Sequence, residues 1–270
     1  MTQIDEMDYS KTSEELNGWF GLATPTFMLT VLGIYLLLIW KILPEYMKTR
    51  KPYQLKTFIA VYNIFQVLAC IYIVVAILNI TSIKLFKFWL CTLFEQNSRA
   101  EYLFNRISYF TFWLKLAELS ETIIFVLRKK QNQVSFLHVF HHCSTVTLIF
   151  VLLHYYRGGA ALYPLFLNSN VHIIMYSYYF VAAVCDKRIV RRLLPIKKSI
   201  TTIQMIQFAL ILLQAFTTMH FCDTSRWLIA YYSTVVGIIF YGFYDFYKKS
   251  YTKSSGAHKT TTHKKTAARR

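Results

Sequence analysis

"FLHVFHHCSTVTLIFVLLHYY", residues 136–156, sets two demands against each other. Its second half is an apolar run. Its first half carries His138, His141 and His142. The whole stretch has the roughly 20 residues that a helix needs to cross a ~30 Å hydrocarbon core. An imidazole placed in hydrocarbon is costly unless it meets a partner or water. Steps of three and four residues put the three histidines near one helix face. The stretch therefore reads as a transmembrane helix whose histidine-bearing end faces other helices rather than lipid.

Working outward, the rest of the chain has the same character. Of 270 residues, 55% are hydrophobic and 17% aromatic, mean hydropathy is +0.36, and only 16% are charged, against about 25% in soluble domains. Seven apolar spans are expected, at about 26–43, 57–78, 108–127, 137–156, 162–184, 200–219 and 227–247. They are too long for barrel strands and lack alternation, so helices satisfy their backbones. The predicted fold is an all-α integral membrane protein with seven transmembrane helices. Its parts are an N-terminal segment 1–25, a helical domain 26–247 and a basic tail 248–270, which lacks any apolar pattern and reads as disordered. The first apolar run follows an acidic stretch, which does not fit a cleaved signal peptide.

The net charge of +17 is a topology signal rather than a nucleic-acid footprint. Residues 41–56 carry five Lys/Arg, 128–130 three, 187–198 six and the tail eight, which is 22 of the 30. The alternate connections carry seven. Positive charge marks the cytosolic side, so the C-terminus is expected in the cytosol and the N-terminus, with Asp5, Glu6, Asp8, Glu14 and Glu15, is expected to be lumenal or extracellular. The basic face also suits anionic lipid. Cys91 and Cys222 both fall on the oxidising side, where a bridge and two unpaired thiols compete as readings. Cys70, Cys143 and Cys185 read as packing residues. The sequon at Asn79 lies against a span end and is expected to stay unused.

Four successive spans carry polar residues at helical spacing. The third has Lys115, Glu118, Glu121 and Thr122, with Lys115 and Glu118 able to pair. The fourth has the histidines. The fifth has Asn168, His172, Met175, Tyr176 and Tyr179. The sixth has Thr201, Gln204 and Gln207. Taken singly, each has a bland explanation. A buried ion pair can be structural. A lone interhelical hydrogen bond is worth ~0.6 kcal/mol. Histidines can be wet and idle, or pH sensors. An HxxHH box also occurs in membrane di-iron enzymes, but such a site takes roughly eight histidines in three boxes. Of the eight here, His258 and His263 lie in the tail and His154, His172 and His220 are isolated. No metal is expected. Taken together, the four stripes point at one enclosed polar cavity. An amphipathic substrate fits it, with an anionic head against Arg128, Lys129, Lys130, Lys187 and Arg188.

"KLAELSET", "HVFHH", "NSNVHIIMYSYY" and "TTIQMIQ", in that order on successive helices, resemble the signature set of the ELO family of very-long-chain fatty acid elongases. The resemblance spans roughly residues 20–250. It implies six helices around an acyl tunnel, residence in the endoplasmic reticulum, and the condensing step of elongation: acyl-CoA and malonyl-CoA give 3-oxoacyl-CoA, CO2 and CoA. It also implies a lumenal pair Cys91–Cys222. This chain departs from the family at Glu121, where Asp is usual, at Cys143, where Thr is common, and at Phe140. Its Lys264 and Lys265 do not stand at the usual distance of a dilysine retrieval signal from the terminus.

The resemblance puts the acyl-enzyme histidine at His141, which as a neutral imidazole can attack a thioester. His172 is expected as its partner, with His138 and His142 orienting or exchanging protons. Asn168, Gln204 and Gln207 are candidates for carbonyl or enolate hydrogen bonds, joined by Thr122, Tyr176 and Tyr179 on the same stripes. Lys115, held by Glu118 and Glu121, would neutralise the malonyl carboxylate or the CoA end. Direct condensation without an acyl-enzyme is the competing mechanism. No cofactor is expected beyond the two substrates, since no dinucleotide fingerprint is present. The implied partners are membrane lipids and the ketoacyl reductase, dehydratase and enoyl reductase of the cycle, with homo-oligomerisation left as an option. Rival classes are a lipid-binding or transport protein and a seven-helix receptor. The absence of Asn-Pro and of a mid-helix lysine in 227–247, and of Pro-broken helices, weighs against them.

Overall fold

The computed structural model describes residues 23–81, 94–95, 98–155 and 158–252. Among these residues the chain is all helix, with no β-strand. In chain order the helices are α1 Pro25–Leu37, α2 Leu43–Met47, α3 Lys56–Thr81, α4 Arg99–Glu118, α5 Ser120–Leu127, α6 Phe136–Tyr155, α7 Leu162–Val184, α8 Lys187–Arg192, α9 Leu194–Phe221 and α10 Arg226–Tyr247. A π-helical turn, Leu38–Ile42, joins α1 to α2 in one rod.

Helix starts follow cap chemistry. Thr24 Oγ1 accepts from Phe27 N at 3.1 Å ahead of Pro25, and Ser98 Oγ accepts from Glu101 N at 3.2 Å. Such side chains satisfy amides that the first turn leaves free. Ser135 Oγ accepts from His138 N at 3.2 Å, so the cap fixes the first histidine in the opening turn of α6. The basic run 128–130 is a helix terminus. Lys129 N donates to Val126 O and Lys130 N to Phe125 O, with Lys129 at φ 55°. This is the paired bonding of a Schellman cap, with a lysine in the position that usually takes glycine.

Among the described residues, five helical rods are long and apolar enough to cross a membrane: Pro25–Met47, Lys56–Ile80, Phe136–Tyr155, Leu194–Phe221 and Arg226–Tyr251. The expected spans at 108–127 and 162–184 are helical but fall outside this set. The first is also not one continuous helix. It runs from Arg99 and breaks at Leu119, where Leu119 N bonds to Leu116 O and Ser120 Oγ donates to Ala117 O. Their polar residues lower their hydropathy, and few of their side chains face outward. The apolar rods instead present Leu29, Trp40, Val61, Leu68 and Phe216 on the surface, each more than half exposed.

Packing explains the difference. α3 packs on α4 and α7, α7 on α9, α9 on α10, α10 on α6, and α6 on α4, which closes a ring of six helices. The α1–α2 rod lies outside it, packed on α5, with Met28, Leu32 and Ile39 in a core shared with Phe112, Val126 and Val146. The basic connections meet through Tyr53 N bonding to Leu127 O, Lys129 Nζ to Lys48 O, and Lys198 stacking on Tyr247. Residues 1–22 of the expected N-terminal segment, Cys91 and the tail from residue 253 lie outside the described residues.

Candidate functional site

The break at Leu119 divides the third-span motif into two clusters. On the α4 side, Lys115 Nζ donates to both oxygens of Glu118, at 2.8 and 3.0 Å. Both side chains are buried. Glu118 Oε1 also lies 3.5 Å from His172 Nδ1, an electrostatic contact rather than a formed hydrogen bond. The other face of that ring meets Asn168, whose Nδ2 is 3.3 Å from His172 Nε2. Lys115, Glu118, His172 and Asn168 thus form one chain across α4 and α7.

On the α5 side, Glu121 does not hold Lys115, contrary to expectation. It meets α3 and α7 instead. Tyr62 Oη (3.1 Å) and Tyr176 Oη (2.5 Å) both donate to its Oε1. Gln66 Nε2 donates to Tyr62 Oη at 2.8 Å. The second oxygen of Glu121 stands 3.7 Å from His142 Nε2. Neighbouring Thr122, fully buried, sits 2.9 Å from His138 Nε2 and 2.7 Å from Tyr35 Oη.

The histidine box therefore faces three directions. His138 meets Thr122, and His142 meets Glu121. The two rings lie edge to face with centroids 4.4 Å apart. His141 packs its ring against Phe243 and lines a cavity of 180 Å³ inside the helix ring. Lys115, Asn168 and Gln207 line the same end. From Gln207 the cavity follows α9 to Thr218, about 16 Å at 1.5 Å per residue,. Most of that length is walled by Ile, Leu, Val, Ala and Phe side chains. Towards the far end Gln214 Nε2 bonds to Ala160 O at 2.8 Å, and Tyr231 Oη donates to Thr147 Oγ1 at 3.3 Å. Among the described residues, no three His, Cys, Asp or Glu converge as a metal-binding group requires.

Other expected residues stand apart. Gln204 lies off the cavity, with Nε2 3.5 Å from Met175 Sδ. Tyr179 is 41% exposed and stacks edge to face on Tyr176. Arg128, Lys129 and Lys130 form the C-terminal cap of α5, and Arg188 is exposed on α8 beside Lys187. Cys222 ends α9 in a disulfide; its expected partner Cys91 lies outside the described residues. Cys70, Cys143 and Cys185 are free. Tyr62 and Gln66 were not singled out by sequence. "YNIFQ" at 62–66 could have marked them, as polar residues inside an apolar span. Tyr35, alone in an apolar run, gives no such signal.

Known proteins resemble this chain over most of its length. Residues 20–259 match the ELO family, described as the GNS1/SUR4 family. The chain is 31% identical over 243 residues to human very long chain fatty acid elongase 4, covering 87% of this chain and 76% of that one. It is 33% identical over 242 residues to human very long chain fatty acid elongase 1, covering 88% and 86%. It is 37% identical over 193 residues to very long chain fatty acid elongase F of Drosophila melanogaster, covering 70% and 74%. Matched by the family model over most of its length and by relatives more than 30% identical, this chain belongs to the ELO family.

Proposed function

We propose that the protein is the condensing enzyme of fatty acid elongation, a 3-oxoacyl-CoA synthase of the endoplasmic reticulum membrane. In this reading all seven helical rods span the bilayer, with the basic connections cytosolic. The observation that carries the proposal is His141. It is the histidine of the box that opens on the cavity, with a buried lysine beside it and an apolar wall beyond. A group that attacks a thioester needs this placement: polar partners at the carbonyl, and a dry slot for the acyl chain.

The chemistry follows from the partners. An imidazole nitrogen of His141 attacks the acyl thioester carbon. The carbon–sulfur bond breaks, and the CoA thiolate takes the proton lost from the acylated ring. Malonyl-CoA then loses CO2, and the electron pair of the broken bond leaves an enolate. The enolate carbon attacks the acyl group, the acyl–nitrogen bond breaks, and the ring regains a proton. Net, one proton is consumed. Gln207 and Asn168, which line the cavity with His141, would hydrogen-bond the thioester or enolate oxygen. Lys115 offers a cation for the malonyl carboxylate, and Glu118 holds His172 for proton transfer. Reductase and dehydratase steps need other enzymes.

The test supplies purified protein in lipid with labelled malonyl-CoA and a panel of saturated and unsaturated acyl-CoAs. Malonyl-dependent 3-oxoacyl-CoA with equal release of CO2 is expected. Folded protein that binds acyl-CoA yet makes no product would move the assignment to lipid binding or transport.

A further inference from the structure

Among the described residues, Tyr35 stands on the one long rod outside the helix ring, and nothing in the proposed chemistry uses it. It is nonetheless one of the least exposed tyrosines, at 3%, and its hydroxyl lies 2.7 Å from Thr122 Oγ1. Thr122 Oγ1 is in turn 2.9 Å from His138 Nε2. The His138 ring lies against His142, which lies against His141 at 5.6 Å between centroids. The rod changes to a π-helical turn at Leu38, three residues beyond Tyr35, and such turns often mark functional positions in helices. On the other side, the helix is interrupted at Leu119, three residues before Thr122. Two backbone irregularities thus flank one short hydroxyl chain.

From this geometry we infer that Tyr35 is a positioning residue of the condensation site, acting through Thr122 to fix the tautomer of His138. The inference rests on the proposed condensing activity. A threonine hydroxyl has one proton and two lone pairs. When the Tyr35 phenol donates to Thr122 Oγ1, the single Thr122 proton is directed to His138 Nε2. That nitrogen is then the acceptor, and the ring carries its proton on Nδ1. Without the phenol, Thr122 can accept as readily as donate, and both tautomers of His138 become available. Hydrogen-bonded chains of this kind strengthen one another. In this account α1 forms part of the active site from outside the ring.

The test is a double-mutant cycle on protein in lipid, with labelled malonyl-CoA and an acyl-CoA on which wild type turns over. Rates are normalised to the monodisperse folded fraction. Tyr35→Phe keeps the buried ring and removes only the hydroxyl. Its kcat is expected to fall about tenfold, with KM for both substrates unchanged. In the Thr122→Val background the same change should cost nothing further. In Thr122→Ser, which keeps the hydroxyl, the cost should return. Equal kcat for Tyr35→Phe and wild type overturns the inference. So does a loss that persists in Thr122→Val, or one seen only in folded yield or in KM. If wild type itself makes no 3-oxoacyl-CoA, the condensing function fails, a separate result from failure of the relay.

Discussion

Glu118 and Glu121 stand three residues apart, both in contact with a histidine, and their surroundings are opposite. Glu118 is held by an ammonium, Lys115, on its own helix. Glu121 is held by two phenols from α3 and α7. Three residues along a helix separate two side chains by about 60° of rotation and about 4.5 Å of rise, and each carboxylate meets a different imidazole, His172 or His142. The contrast teaches that Glu118 is coupled to the fold through charge and Glu121 through hydrogen bonds. Removing the charge should therefore cost differently on the two sides.

The largest effect is expected for Glu118→Gln. It leaves a buried lysine without its counter-charge, a loss of about 3–5 kcal/mol. Thermal unfolding in detergent should show a destabilised protein, and activity per folded molecule should also collapse. Replacing both Lys115 and Glu118 with apolar residues of similar size should recover most of the stability and none of the activity. Glu121→Gln should behave otherwise. Its amide oxygen still accepts from both phenols, so stability should stay within about 1 kcal/mol of wild type. The charge beside His142 is gone, and kcat should fall by at least about tenfold with KM little changed. A Glu121→Gln variant that unfolds as readily as Glu118→Gln would erase the contrast.

Tyr62→Phe is a smaller step. It removes one of two donors to Glu121 and the acceptor of Gln66 Nε2, for about 0.5–1.5 kcal/mol, and kcat should drop less than with Glu121→Gln. Ala215→Leu leaves both carboxylates alone and narrows the cavity away from His141. Turnover of short acyl-CoAs should be unchanged while products from the longest ones disappear, read by chromatography of the products. A uniform loss across chain lengths would mean that the acyl chain does not occupy this cavity.

Much of this arrangement can be read along the chain. The i, i+3 step of Lys115 and Glu118 forecasts a pair, and the pair forms. The polar stripes of the third to sixth spans mark helices with enclosed faces, and those helices line the cavity. What the chain hides is contact between distant segments and departure from regular helix. Periodicity alone misses the break at Leu119 and the α3 and α7 partners of Glu121. It also carried the α7 stripe to Tyr179, which reaches the surface, and the α9 stripe to Gln204, which turns to Met175. Tyr35 and Tyr62 meet residues 87 and 59 positions away. A tyrosine in an apolar helix reads equally as a membrane-interface residue, so only the folded geometry reveals their role.

The central claim is that His141 carries the acyl group, and one measurement tests it most directly. Protein incubated with acyl-CoA alone, without malonyl-CoA, is quenched and analysed by intact mass and peptide mapping. The account predicts an added acyl group on the α6 peptide, located at His141, absent in His141→Ala and discharged by malonyl-CoA. Wild-type protein that turns over with malonyl-CoA yet never carries the acyl group, or His141→Ala that turns over at the wild-type rate, would contradict it.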